Sequence, residues 1–584
     1  MNLTTTTTNN NNTNNNNIRH GNPIGTKILL AILPYWDPMI PPMGITTLKG
    51  FLQKHGYKVK TEDLIVKNEC LEFYDNYFKT LGKYIPEEKK GNFNNIGHDV
   101  LQSHLMAHQN YTEEKEYQAL VKEMIYQSYF VDVEENCVIR LNQIMDDFYQ
   151  ILKAYWLELL EKEKPDVVGV TAYKCTIAAS MFALKLTKEK YPHIKTLMGG
   201  GTFNETHAPD SPNFQILLDE TEPYLDKIIL GQGEMLFLKY LRGELPDSKR
   251  VYTKEDNDGK ILDFHEQELP DFSDLNMEKY PCLAATASAS CLYQCSFCIG
   301  SKVAGKYRVK NPQHTVNEMI KIHREFGHQL FFMTDSLINP VLTDLSNEFI
   351  KSGVSLYYDA YFKVDDPSGD IRNTLLWRRG GLYRVRLGTE SGSQRILDEM
   401  DKRITVQQIK ATVSALAYAG IKVTTYWVIG HPGETEEDFQ QTLSIIEELK
   451  DDIFQAECNY FLVHYSQQVQ ADNWRKHIQL LYPEKWLPML TFQYYTPGPG
   501  FEPSRQETFN RVHRFEAHCR KLGIPNPYSY DQHVKADERW RRLHKNAVPS
   551  LMDFMAKKTI KENFNIKNVT YAQSTRDYSD DFNF

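Results

Sequence analysis

Two series of short apolar runs pass along this chain, each run followed by a stretch whose apolar residues recur three and four apart. In the first series "KILLAIL" from Lys27 reads as a buried strand, "ITTLKGFLQKHG" as a helix and "YKVKTEDL" as a second strand. "DVVGV" (166–170), "IKTLMGGG" (194–201) and "KIILGQGE" (227–234) continue it. Short apolar strands alternating with helices indicate a parallel, doubly wound sheet. Residues from about 70 to 160 are polar and helix-patterned, and read as an insertion capping that sheet. The second series starts with a strand at 283–288. It continues through "QLFFM" (329–333), "VSLYY" (354–358), "YRVRL" (383–387), "KVTTYWV" (422–428) and "CNYFLV" (458–463), with amphipathic helices between them. Six such units make an incomplete barrel, which does its chemistry at the carboxyl ends of its strands.

The expected fold class is therefore α/β. A doubly wound sheet over 26–243 leads through a polar connector (244–281) to a partial (β/α)6 barrel over 282–465 and a mainly helical cap over 466–560. The connector carries a turn at Asn257-Asp258-Gly259. Residues 1–25, with their Thr/Asn tract, and the polar 561–584 offer no apolar face to bury and read as loose tails.

Composition removes several function classes. The formal charge of -9 comes from 67 basic and 76 acidic residues, well mixed along the chain. That argues against a bulk electrostatic nucleic-acid binder. No apolar run reaches the roughly 18 residues of a membrane span, and no secretory h-region opens the chain. Six of the nine cysteines, Cys70, Cys137, Cys175, Cys282, Cys458 and Cys519, are scattered. That pattern suits a reducing compartment. The expectation is a cytoplasmic enzyme with neither a membrane nor a nucleic-acid partner.

The other three cysteines form "CLYQCSFC", a C-x3-C-x2-C run of Cys291, Cys295 and Cys298 in the loop after the first barrel strand. Clustered thiols in such a chain point to metal. Structural zinc and a fully protein-held [4Fe–4S] cluster both want four ligands. Three thiolates leave one iron of a cubane open. A zinc site completed by Cys282 or a histidine, and a chance cluster, are the alternatives on spacing alone. In the N-terminal sheet, Thr171, Gly199, Gly200, Gly201, Gly231 and Glu234 fall at carboxyl strand ends, where open α/β sheets bind ligands. Ordinary strand-ending glycines would look the same.

Taken together, "CLYQCSFC", "FFMTDSLIN", "GTESGSQRILDEMDKRIT" and "GIKVTTYWVIGHPGETEEDFQQT" resemble the ordered motifs of the radical S-adenosylmethionine superfamily. "PPMGITTLKGFLQKHGYKV", "PDVVGVTAY", "GGG" and "GQGE" resemble the N-terminal cobalamin-binding-type domain of one branch. The resemblance covers about 27–465. It implies that Cys291, Cys295 and Cys298 hold three irons of a [4Fe–4S] cluster whose fourth iron takes S-adenosylmethionine. The cluster would cleave that sulfonium to methionine and a 5′-deoxyadenosyl radical, with electrons from a donor such as flavodoxin or ferredoxin. It further implies that Phe297 packs near the adenine and that Asp335 and Ser336 meet the methionyl ammonium. Glu390 and Ser391 would contact ribose or the methionyl group, and Gly430 and Gly433 would let backbone approach the adenine. Thr435 reads instead as a helix cap, with Asp438 three residues on.

In one respect the chain departs from many cobalamin modules. The loop after the first strand holds Tyr35, Trp36 and Asp37 but no histidine; His55 lies a helix away and His207 follows another strand. Cobalamin bound without a protein histidine, or a domain that has lost it, are the two readings. Three functions compete: a cobalamin-dependent methyltransferase acting on an unactivated carbon or phosphorus of a small molecule or peptide; a radical enzyme that rearranges, closes rings or modifies peptides without methylation; and a non-catalytic sensor.

Overall fold

The computed structural model of the chain describes residues 25–34, 39–90, 92–264, 266–298, 300, 305–463 and 477–555. The two expected tails, apart from Gly25, lie outside the described residues, as do Tyr35, Trp36 and Asp37.

Six parallel strands form the N-terminal sheet: β1 (Lys27–Ile32), β2 (Lys58–Asp63), β3 (Val167–Thr171), β4 (Lys195–Gly199), β5 (Lys227–Ile229) and β6 (Val251–Tyr252), in the order β2-β1-β3-β4-β5-β6. The order reverses between β1 and β3, so the strand ends at Ile32 and Thr171 flank the crevice where such sheets bind ligands. β1 is buried from Ile28 to Ile32, as expected of a strand covered on both faces. β6 lies within the stretch read as connector: two residues are too few for a period-two pattern to show.

Four helices, Asn68–Leu81, Phe93–Asn110, Glu114–Tyr129 and Glu135–Glu163, fill the space between β2 and β3. Their apolar faces join the main core through Tyr77, Leu120, Met145 and Trp156, all fully buried. Asp99 on the second of them accepts from Lys174 at 2.6 Å, beyond β3, and from Tyr460 at 2.5 Å, in the barrel. One carboxylate thus ties insertion, sheet and barrel together.

The second sheet is also all parallel, in the order β14-β13-β12-β11-β10-β7. Its strands are β7 (Leu283–Ala285), β10 (Leu330–Met333), β11 (Tyr357–Lys363), β12 (Leu382–Glu390), β13 (Lys422–Ile429) and β14 (Gln455–Tyr460). β11 runs five residues beyond the end the sequence indicated, because its continuation "DAYFK" places Asp359 where an apolar residue was expected. Two short strands, β8 (Ser288–Ala289) and β9 (Arg308–Val309), pair antiparallel and close the base of the cysteine loop. A hairpin, β15 (Ile478–Leu480) with β16 (Tyr495–Pro497), and helices Arg505–Lys521 and Tyr530–Leu543 complete the chain. No helix among the described residues is long and apolar enough to cross a membrane.

Candidate active site

The cysteine loop is anchored from below and from the side. Asp335, just past β10, is fully buried and accepts from the Ala287 amide at 3.1 and 3.2 Å, fixing the turn that enters the loop. Burial pushes its carboxyl up to about 6, against the opposing hydrogen bonds from Ser288 and the backbone. On the far side the Ser296 amide donates to Met400 O at 2.9 Å and its hydroxyl to Glu399 O at 3.2 Å. Within the loop the Tyr293 amide approaches Cys291 Sγ at 3.5 Å and the Gly300 amide approaches Cys298 Sγ at 3.4 Å. Amides directed at sulfur stabilise thiolates and tune clusters they hold.

Two lysines stand beside these thiols, and the sequence reading singled out neither. Lys402 is buried and donates to Glu390 Oε1 at 2.5 Å. It also lies 5.7 Å from the centre of the Phe297 ring. Lys363, the last residue of β11, donates to Lys402 O at 2.5 Å and sits 4.2 Å over the Tyr293 ring. Desolvation, then the Lys402 charge, brings the Lys363 ammonium down to about 8. Burial raises the Cys295 thiol, while Lys402 and Lys363 oppose that rise.

Glu390 reaches Lys402 because β12 departs from regular geometry there. Its register against β13 shifts between Gly388 and Glu390, and Glu390 adopts φ +63°. A buried, non-glycine residue in the left-handed region stores strain, and such positions cluster at functional sites. Gly388 makes room: a Cβ there would fall 2.5 Å from Glu390 Oε1 and 2.8 Å from Lys402 Nζ. Cys291, Cys295, Cys298, Phe297 and Glu390 therefore come together at one end of the barrel.

Other expected residues face elsewhere. Ser391 is buried, its hydroxyl accepting from the Ser393 amide at 3.1 Å and lying 3.5 Å from Thr442. Ser336 is exposed. Gly430 (φ +80°) packs on the C-terminal helix, where a Cβ would meet Thr508 at 2.3 Å. Gly433 donates to Glu502 O at 2.6 Å. Thr435 and Asp438 form the capping box read from the sequence.

Three thiolates that each bind a different iron need not share a focus. Among the described residues no three His, Cys, Asp or Glu side chains converge as ligands of a single metal ion would. Cys282, the suggested fourth zinc ligand, turns away and donates to Met39 O at 3.2 Å.

Two cavities meet between the sheets. One, of about 410 Å³, lies at the strand ends of the N-terminal sheet and is lined by Thr171, Gly199, Gly200, Gly201 and Gly231. All five were expected there. Glu234, expected there too, is not among the lining residues; it is the first residue of the next helix, Glu234–Leu241, and burial raises its carboxyl. Gly200 takes φ +115°, and a Cβ on it would strike Ala172 O at 2.5 Å. The second cavity, about 430 Å³, shares Gly44, Thr171 and Tyr173 with the first and runs into the barrel past Phe332, Asp359, Tyr361, Arg384 and Arg386. Neither His55 nor His207 lines either cavity: His55 bonds to Phe51 O at 2.9 Å and His207 to Thr202 at 2.9 Å. His533, from the cap, does line the second.

Residues 287–446 match the model of the Radical SAM superfamily. Among curated proteins, the chain is 27% identical over 320 residues to an anaerobic magnesium-protoporphyrin IX monomethyl ester cyclase of Rubrivivax gelatinosus, covering 50% of this chain and 55% of that one. It is 26% identical over 371 residues to a cytidylyl-2-hydroxyethylphosphonate methyltransferase of Streptomyces wedmorensis, covering 52% and 64%. The matches thus span less than two thirds of the length of those relatives. Among solved structures, the radical S-adenosylmethionine methyltransferase TsrM from Kitasatospora setae, with cobalamin and [4Fe-4S] cluster bound, aligns with TM-score 0.52 at 13% identity, over 93% of this chain and 99% of that one. The cobalamin-dependent radical enzyme OxsB, with aqua-cobalamin and S-adenosylmethionine bound, aligns with TM-score 0.52 at 14% identity, over 94% and 78%. These two likenesses are of fold.

Proposed function

We propose that this chain, whose residues 287–446 match the Radical SAM superfamily, uses a [4Fe–4S] cluster to cleave S-adenosylmethionine and, with cobalamin, methylates an unactivated carbon or phosphorus of a small molecule or peptide. The observation that carries the cobalamin part is the pair of neighbouring cavities. A slot at the switch point of an open sheet, lined by glycines, suits a nucleotide tail. Gly44, Thr171 and Tyr173 line both this slot and the neighbouring cavity, whose wall includes barrel residues.

Cys291, Cys295 and Cys298 would hold the cluster, and their loop fits it: Cys291 and Cys298 have amide donors, and Lys402 and Lys363 stand near Cys295, which offsets the charge of thiolate ligands. When bound, the cluster supplies the electron for reductive cleavage, so a reductant is required. Lys402, held by Glu390, presents a fixed cation beside the loop, suited to the carboxylate of S-adenosylmethionine. Phe297 gives that site an apolar ring.

A second reading is favoured by the relatives named as cyclases: the same centre closing a ring without methyl transfer. The full chain, reconstituted anaerobically with iron, sulfide and cobalamin, is expected to retain about four irons and one cobalamin. Reduced to the cobalt(II) form, it should show no superhyperfine splitting from a single coordinated nitrogen. That splitting would contradict binding without a protein histidine. A folded chain with an intact cluster and no cobalamin would move the assignment to the cyclase-like reading.

A further inference from the structure

The lumen wall of the second cavity carries charge in a place that ordinarily holds aliphatic side chains. Asp359 on β11 stands opposite Arg384 on β12, and Tyr361 opposite Arg386, so both arginines project to the same side of their strand. Arg384 Nε donates to Asp359 Oδ2 at 2.8 Å, and Arg386 Nη2 donates to the same oxygen at 3.1 Å. One carboxylate thus serves two guanidinium groups. A second carboxyl, Glu457 on β14, lies near enough to both arginines to interact with them, while its Oε1 accepts from Asn459 at 3.1 Å. Lys422, the further cation nearby, is already paired with Asp537 at 2.5 Å.

The arginines are only partly used. Among the described residues, neither Arg384 Nη1 nor Arg386 Nη1 has a protein acceptor, and neither atom is sealed from solvent. Arg386 is held flat, its guanidinium carbon 4.4 Å from the Phe332 ring centre and 5.4 Å from that of Tyr361. His533 enters the same cavity from the cap, its Nε2 buried without a hydrogen-bond partner. Apolar side chains, Ile32, Met39, Ile40 and Leu330 among them, supply much of the remaining wall. A rigid, half-satisfied guanidinium pair in an apolar chamber is a receptor for an oxyanion.

We propose that the substrate of this centre carries an anionic group, a carboxylate or a phosphate, bound by the open Nη1 edges of Arg384 and Arg386, with an apolar body lying toward the N-terminal sheet. This rests on the reading of the cavity as the reaction chamber. The pairing with Asp359 fixes the guanidinium planes before substrate arrives, so little side-chain entropy is lost on binding. Arg386, the more open of the two, makes the larger contribution.

Calorimetric titration of the reconstituted full chain tests this with two anionic probes, inorganic phosphate and benzoate, and neutral benzamide as control. Saturable binding of one anion is expected, with benzamide silent, and the anion that binds identifies phosphate or carboxylate as the group. Arg386→Met should weaken that binding at least about tenfold, and Arg386→Lys, which keeps the charge but not the fork, by less. Arg386→Met leaves Asp359 paired with Arg384; if circular dichroism shows it unfolded, Arg386→Lys carries the comparison. Equal binding of anions and benzamide, or undiminished anion binding in the variants, would overturn the proposal. Cleavage of S-adenosylmethionine by the wild-type chain is measured separately. Its absence alongside intact anion binding would count against the proposed reaction and leave this site standing.

Discussion

Glu390→Gln separates what the strained end of β12 does for the fold from what it does for the cosubstrate. Glu390 and Lys402 are 2.5 Å apart, with side chains 9% and 8% exposed. Removing one partner of a buried pair leaves the other charge uncompensated, at about 3–5 kcal/mol. For a cooperative unit of the barrel's size, each kcal/mol lowers Tm by about 2–4 °C, so the barrel transition should drop by about 6–20 °C. Iron content should hold, because neither residue is a thiolate. S-adenosylmethionine affinity should fall about ten- to a hundredfold, the worth of a charged hydrogen bond. The double variant Glu390→Leu/Lys402→Met removes both charges and should regain most of the stability, since a well-packed apolar pair is often as stable as the ion pair it replaces. It should not regain affinity. Scanning calorimetry on the single and double variants, with equilibrium binding of S-adenosylmethionine, reads both effects. If the double variant is as unstable as Glu390→Gln, the uncompensated charge is not the cause. If its affinity recovers with its stability, the pair serves the fold alone.

Three further outcomes follow from the same geometry. Alanine at Cys291, Cys295 or Cys298 should abolish S-adenosylmethionine cleavage, whereas Cys282→Ala should not, since its thiol faces Met39; iron near four per chain in the triple variant would refute the ligand set. Gly199→Val, whose Cβ would meet only Ile229 O at 3.3 Å and otherwise open slot, should cut cobalamin retention without altering iron, and normal retention would place the cofactor elsewhere. Asp335 has its native carboxyl raised to about 6 by burial, so the folded state binds its proton more tightly than the unfolded state. Its contribution to stability therefore falls as pH rises from about 4 to about 6, by roughly 3 kcal/mol in all. Asp335→Asn should remove that fall, and thermal melts of both proteins that stay parallel from pH 4 to 7 would contradict it.

Much of the architecture was legible from periodicity, because both sheets are parallel and buried on both faces, which makes their strands continuous apolar runs. The slot-lining residues Thr171, Gly199, Gly200, Gly201 and Gly231 could be placed for the same reason: a strand end is where an apolar run stops. What the sequence hid was charge inside the barrel. Asp359 interrupts "YYDAY" and made β11 look finished early, though Arg384 and Arg386, two apart in "YRVRL", carry the period-two signature of a common face. Lys363 and Lys402 were invisible for another reason. Lys363 lies outside every quoted motif and Lys402 inside one that gives it no role, and only the fold brings them to Tyr293 and Phe297. Gly430 and Ser391 show the opposite case, since a residue that suits a ligand by type is here packed against Thr508 or Thr442.

The most direct measurement is the product pattern of anaerobic turnover. The reconstituted chain is incubated with reductant, S-adenosylmethionine labelled in its methyl group, and an extract of the cells that make the protein, and the products are resolved by mass spectrometry. The account predicts 5′-deoxyadenosine together with S-adenosylhomocysteine and a labelled methyl group on an anionic product. 5′-Deoxyadenosine alone, with no label transferred, would contradict methyl transfer, and the absence of both nucleosides would contradict radical chemistry at the cysteine loop.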